Sequence, residues 1–233
     1  MRGTLYGLGV GPGDPELVTL KAARILASVP VVAYLQTANG AGMARRIAAS
    51  LIPDGVKEIP IVMPMASDRA PARAAYDEAA RAIAARLDKG EDVALLCEGD
   101  PLFYGSFMYI HQRLHGDYRI ETIPGVSSLN AAAAALGRPI AARNDIFSVI
   151  PAPVDAARLR TAIAAADAVA IIKVGRHFDA VRAVLGEMEL VDRAVLVTAA
   201  SCENQTVVPL ASLPDGPRPY FSMILLYKGA EPW

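Results

Sequence analysis

The densest chemistry in the chain lies in Cys97-Glu98-Gly99-Asp100-Pro101-Leu102-Phe103-Tyr104-Gly105-Ser106. It follows Asp92-Val93-Ala94-Leu95-Leu96, an apolar run that reads as a strand buried on both faces. An acidic, glycine-containing loop in that position lies at the carboxyl edge of a parallel sheet, where open α/β proteins bind ligands. Gly99 permits a sharp turn or a close approach, and Asp100 supplies an acceptor that can also brace the loop. A second Gly-Asp-Pro, Gly13-Asp14-Pro15, follows the first strand, so two such loops at one edge suggest a shared pocket. Each alone also reads as an ordinary strand-to-helix turn, with Asp as N-cap and Pro at N1.

Spacing argues against several other chemistries. The alternating Gly7, Gly9, Gly11 and Gly13 fail G-x-G-x-x-G in every register, and no G-x-x-x-x-G-K-[ST] occurs. The second strand ends in Tyr34-Leu35-Gln36, without the acidic residue that holds a ribose in dinucleotide folds. Bare backbone at the alternating glycines leaves room for something flat to lie against it. His111 and His115 stand at i and i+4 as in H-E-x-x-H zinc sites, but Gln112 replaces the general-base glutamate and no third ligand is evident. They read as helix-surface residues near a C-terminus, and no metal is expected. Cys97 has no histidine near it in sequence and reads as a small buried residue at a strand end.

These residues need a scaffold, and the chain supplies alternating strands and helices. Strands are expected at 4–10, 31–35, 57–62, 93–97 and 118–123, with helices from Pro15 (Asp14 as N-cap; Leu17, Leu20, Ile25 and Leu26 toward the core), at 41–51, 69–87 and 104–114. Such βαβ alternation implies a largely parallel five-stranded sheet. After a helix at 127–136, strands follow at 146–150, 168–174, 193–198, 206–208 and 220–227, with only two helices, 156–166 and 178–185. The short link into 206–212 suggests antiparallel pairing, hence a mixed sheet. The expectation is an α/β protein of two domains, 1–125 and 126–233, with a ligand cleft between them.

Composition sets the outer bounds. The chain has 233 residues, 53% hydrophobic and 20% charged, with net charge −1. That balance implies a soluble globular protein and lacks the basic excess of a nucleic-acid binder. Cys97 and Cys202 form neither a disulfide framework nor a metal spacing, so a reducing cytoplasm is expected. Met1-Arg2-Gly3-Thr4 leads straight into a strand-like run rather than a signal peptide, and no apolar stretch approaches membrane-spanning length.

Leu8-Gly9-Val10-Gly11-Pro12-Gly13-Asp14-Pro15-Glu16-Leu17-Val18-Thr19-Leu20-Lys21-Ala22 resembles the N-terminal signature of the tetrapyrrole (corrin/porphyrin) methylases. Gly99-Asp100-Pro101 and Ile123-Pro124-Gly125-Val126-Ser127-Ser128 resemble that family's second and third motifs, in order and spacing. The resemblance covers essentially the whole chain. Residues 97–109 and Lys173-Val174-Gly175-Arg176 are most similar to the members that methylate C20 of precorrin-2 in cobalamin biosynthesis. Val10 and Val174 depart from the small residue and the Met that many relatives carry.

The resemblance implies a homodimer with S-adenosylmethionine bound in the interdomain cleft and S-adenosylhomocysteine released as product. By motif position, the cofactor contacts would be Pro12, Glu98, Gly99, Asp100, Phe103, Ser127, Ser128, Val174 and Ala200. Transfer from a sulfonium needs an electron-rich carbon held in line, and positioning supplies much of the acceleration. Reduced tetrapyrroles have enamine-like meso carbons, so no strong protein nucleophile or metal is required. A proton must then leave C20, for which Glu98, Tyr104 and His177 are candidates without a clear choice. The substrate's carboxylates call for cations, with Lys173, Arg176 and His177 first and Arg138 and Arg143 next. Two alternatives stay open: a cobalt-containing ring as substrate, and a non-catalytic module that binds the cofactor or a tetrapyrrole. Some relatives modify rRNA or a translation factor, which the near-neutral charge argues against.

Overall fold

The computed structural model describes residues 1–38, 40, 42–64 and 69–229, the side chain of Arg69 excepted. The chain divides into two units, Met1–Ser128 and Leu129–Trp233. Each carries a five-stranded sheet.

In the first unit the elements run β1 (Thr4–Gly9), α1 (Leu20–Leu26), β2 (Val31–Gln36), α2 (Met43–Ile47), β3 (Lys57–Val62), α3 (Arg69–Leu87), β4 (Val93–Cys97), α4 (Phe107–Leu114) and β5 (Arg119–Ile123). The sheet order is β3-β2-β4-β1-β5 and every pairing is parallel. β4 is buried along its whole length, as its unbroken apolar sequence demands. Leu8, Val10, Val32, Tyr34, Ala94 and Leu96 face α1 and α2. Leu5, Val31, Ala33, Val93 and Leu95 face α3 and α4.

Local capping explains where this unit departs from expectation. Asp14 caps only a 3-10 turn, Pro15–Leu17, its Oδ1 accepting from Glu16 N at 2.8 Å. The true α1 starts at Leu20 behind Thr19, whose hydroxyl accepts from Ala22 N. Leu20, expected in the core, is 91% exposed at that helix start. The helix expected over 41–51 is shorter and breaks into a 3-10 turn at Ala49–Leu51; Ala41 lies outside the described residues. α4 starts at Phe107 rather than Tyr104, because Tyr104 has a left-handed φ of 54° that a helix cannot contain.

The second unit contains most of α5 (Ser128–Leu136), then β6 (Phe147–Pro151), α6 (Ala156–Ala164), β7 (Ala168–Ile172), α7 (Phe178–Glu187), β8 (Ala194–Thr198), β9 (Thr206–Pro209) and β10 (Ser222–Tyr227). Its sheet order is β6-β7-β10-β8-β9. β6 and β7 are parallel, β10 runs antiparallel to β7 and β8, and β9 is antiparallel to β8, so the sheet is mixed as expected. α6 and α7 bury Leu159, Ile163, Phe178, Val181 and Leu185 on one face. On the other, α5 covers Ala170, Val197, Met223 and Leu225 with Leu129, Ala131 and Ala132. β7 stops at Ile172, two residues early, because Lys173 turns the chain out at φ 57°. β7 and β8 both oppose β10, so their carboxyl ends share one edge of this sheet.

Candidate functional site

β1 and β4 are neighbours, yet the helices that follow them lie on opposite faces, α1 on one and α4 on the other. The carboxyl ends of such a pair form the topological switch point of an open sheet, where the departing loops leave a crevice. Here the two loops are tied together. Val10 N–H donates to Cys97 O at 2.9 Å and Gly99 N–H to Gly11 O at 2.7 Å. Gly11 and Gly99 have φ of 78° and 62°, which their lack of a side chain permits. β5, on the far side of β1, delivers the third loop. A Cβ on Gly9 would stand 2.5 Å from Gly125 N and 2.7 Å from Gly99 O, so these loops pack backbone against backbone. Sequence segments far apart in the chain thus meet because β4, β1 and β5 are adjacent. The bare backbone expected to receive something flat is already covered: the Phe107 ring lies over Gly7, and the Gly125 main chain over Gly9.

Asp100 is the pin of this arrangement. Its Oδ1 accepts from Leu102 N at 2.9 Å and its Oδ2 from Gly125 N at 3.1 Å, joining the second loop to the third. Glu98 is exposed, and its Oε1 accepts from Ala44 N at 3.2 Å in the first turn of α2. α2 is also anchored by Arg45, whose Nε and Nη2 donate to Glu58 at 3.0 and 2.8 Å. Hydrogen bonding to that guanidinium holds the Glu58 carboxyl below its usual range. Burial, then the hydrogen bond to Glu58, pushes the Tyr34 phenol up. Phe103 and Tyr104 are 40% and 43% exposed and meet edge to face with ring centres 5.0 Å apart. Pro12, Ser127 and Ser128 are half-buried, and Ser128 opens α5. Burial, then Glu98 and Asp100, push the Cys97 thiol well up, so it stays protonated and is no nucleophile.

In the second unit, Lys173 and Arg176 are exposed and His177 half-buried at the end of β7; Arg176 Nε donates to His177 Nε2 at 3.3 Å. Val174 is fully buried among Phe178, Val181 and Leu185, which leaves its main chain as the part able to meet a ligand. Ala200 lies at the same edge, between Ala199 (φ 50°) and Ser201 (φ 65°), with Ser201 N–H donating to Gln205 Oε1 at 2.7 Å. Arg138 and Arg143 go elsewhere. Arg138 sits over the Tyr227 ring at 5.7 Å, and Tyr227 pairs with Ala168 at the start of β7. Arg143 precedes β6, parallel to β7, so it also lies at the amino edge. The five cations expected to share the substrate's carboxylates therefore fall on two opposite edges of this sheet. A further cation joins the first group: Arg218 N–H donates to Gly175 O at 3.0 Å. No motif marks Arg218, because only the pairing of β10 beside β7 brings its loop there. His111 and His115 stack one turn apart on α4, ring centres 5.2 Å apart, and among the described residues no group of three His, Cys, Asp or Glu could hold a metal ion.

Known proteins resemble the chain over nearly its full length. The cobalamin biosynthesis protein CobIJ of Mycobacterium tuberculosis is 41% identical over 236 residues, which are 98% of this chain and 46% of that one. The chain thus spans about half the length of that relative. The precorrin-2 C(20)-methyltransferase of Sinorhizobium sp is 35% identical over 96% of this chain and 95% of its own. The cobalt-precorrin-2 C(20)-methyltransferase of Salmonella typhimurium is 31% identical over 99% of both. Among solved structures, uroporphyrin-III C-methyl transferase from Thermus thermophilus, complexed with S-adenyl homocysteine, superposes with a TM-score of 0.68 at 25% identity, covering 96% of this chain and 97% of that one. Residues 4–214 match the family described as Tetrapyrrole (Corrin/Porphyrin) Methylases, and the chain belongs to that family.

Proposed function

We propose that the chain is an S-adenosylmethionine-dependent C-methyltransferase that methylates C20 of precorrin-2, giving precorrin-3A in cobalamin biosynthesis. The observation that carries this reading is the meeting of the residue 9–15, 98–106 and 124–128 loops at the switch edge of β4-β1-β5. The residues fit the cofactor. Pro12, the main chain of Gly99 and Asp100, and the Phe103 ring offer a lining with few charges, and the Ser127 and Ser128 hydroxyls stand at the start of α5, where a carboxylate is favoured. Asp100 acts chiefly by holding the loop, since both its oxygens already accept main-chain N–H groups. Val174 and Ala200 stand at the carboxyl edge of the second sheet, where main chain and a small side chain are the parts able to meet a ligand.

When bound, the cofactor supplies an electrophilic methyl group. The chain's residues orient it and the ring, and the exposed Phe103–Tyr104 pair offers an apolar surface for either. Lys173, Arg176 and His177 take substrate carboxylates. The proton of C20 has Glu98, Tyr104 and His177 as candidate acceptors. Of these, His177 Nε2 already faces an Arg176 N–H, and one Glu98 oxygen faces Ala44 N. The protein is further proposed to be a cytoplasmic homodimer with no nucleic-acid partner.

A second reading, methylation of the cobalt-containing ring, is favoured by the likeness to the Salmonella enzyme over the full length of both chains. Anaerobic incubation with S-adenosylmethionine and each ring separately, followed by mass spectrometry, separates the two. A gain of one methyl on the metal-free ring alone is expected. A gain on the cobalt ring alone selects the second reading, and a gain on neither overturns both.

A further inference from the structure

We infer that Arg218 is a further cation of the Lys173–His177 edge and determines the affinity for carboxylated tetrapyrroles. This rests on the tetrapyrrole substrate proposed above. Three observations converge on it. Arg218 N–H donates to Gly175 O at 3.0 Å, which ties its loop to the turn that carries Lys173, Arg176 and His177. Its guanidinium carbon lies 4.1 Å from the centre of the Phe178 ring, the first residue of α7. Its Nε is buried without a hydrogen-bond partner, one of two such side-chain atoms among the described residues.

Chemistry turns these facts toward an anion. An arginine has five N–H donors in a rigid fork, and here one Nη donates to Pro214 O while Nε has no acceptor. A buried donor left unmatched is destabilising unless something brings it an acceptor. The Phe178 face keeps the guanidinium flat and limits its rotamers, which leaves the edge of the fork for a planar carboxylate. Charge placement agrees. Lys173, Arg176, His177 and Arg218 gather where α7 begins, the positive end of the helix, although cations are favoured at the other end. Asp179 does not offset them alone, since its Oδ1 already accepts from Gly216 N at 2.8 Å. Three cations held together against that preference, with His177 beside them, suit a polyanionic ligand. The loop is built to hold still: Arg182 donates to Leu213 O at 2.6 Å and to Asp215 Oδ1 at 3.0 Å.

Binding of uroporphyrin I, a stable octacarboxylate ring, tests this by fluorescence titration of the full chain, with S-adenosylmethionine affinity and Tm measured alongside. Arg218→Met keeps the packing on Phe178 and removes the charge; it is expected to weaken uroporphyrin about 10- to 100-fold and to leave cofactor affinity within about twofold. Arg218→Lys is expected to recover only part, since it lacks the fork. The octamethyl ester should bind weakly to wild type and equally to Arg218→Met. If Arg218→Met lowers Tm but binds the octacarboxylate like wild type, Arg218 is a structural latch and the inference is wrong. If wild type itself ignores the difference between acid and ester, the inference is wrong as well. Should uroporphyrin binding follow these expectations while precorrin-2 gains no methyl, the reaction assigned above fails and the carboxylate site stands.

Discussion

Asp100 shows how one side chain can tie two loops together. Its two oxygens bridge Leu102 N and Gly125 N, so the second loop cannot shift without dragging the third. Asp100→Asn places an NH2 group against one of those N–H donors. The variant is expected to lose about 1–3 kcal/mol of stability and to bind S-adenosylmethionine about tenfold more weakly, read by thermal melts and calorimetry. Unchanged affinity in a folded variant would show that the bridge does not position the cofactor. Cys97 gives a second test. With its thiol held protonated by burial and flanking carboxylates, it should resist iodoacetamide at pH 8 in the native protein, while half-buried Cys202 reacts. Peptide mapping that finds Cys97 modified first would contradict the placement. Asp100 and Cys97 were visible in the sequence as residue types at a strand end. Arg218 was not, because its partners come from elements distant in the chain.

Between elements, contacts of backbone on backbone decide what can be substituted. Gly9→Ala would drive a Cβ into Gly125 N and Gly99 O, neither of which can rotate away, so a loss above about 3 kcal/mol is expected. Gly7→Ala first meets the Phe107 ring, and Phe107→Leu in the same chain should restore part of the loss, measured as a double-mutant cycle in urea. Simple additivity would refute that pairing. α2 is governed by charge. The Arg45 guanidinium lowers the Glu58 carboxyl, so the pair stabilises the fold above the unfolded value of about 4.3 and ceases to do so as pH falls through the lower folded value. With side chains 24% and 30% exposed the effect is small. The stability gap between wild type and Glu58→Gln should be flat from about pH 5 to 8 and close below about pH 4. A gap unchanged down to pH 3 would remove the pair from the account. Local sequence located α3 and β4 residue for residue, since a long alanine-rich run stopped at Gly90 and a fully buried apolar run leave little choice. Hydrophobic pattern misjudged α1 and α4 because Thr19 capping and the left-handed Tyr104 are local choices that it does not encode.

For the whole chain, the order of strands carries the argument. A parallel β3-β2-β4-β1-β5 sheet puts the three glycine loops side by side, while the mixed second sheet splits the expected cations between two edges. The alternation of elements foretold the first result. The second needed the register of β10 against β7, which sequence does not contain. The reaction proposed for this topology rests on likeness over nearly the full length to the Sinorhizobium enzyme. Its central claim is the carbon that is methylated. Anaerobic turnover of precorrin-2 with S-adenosylmethionine carrying a 13C methyl group, followed by NMR of the product, reads that carbon directly. The account predicts one labelled methyl, bonded to C20. A label at any other ring carbon would keep the fold and the cofactor site but contradict the proposed reaction.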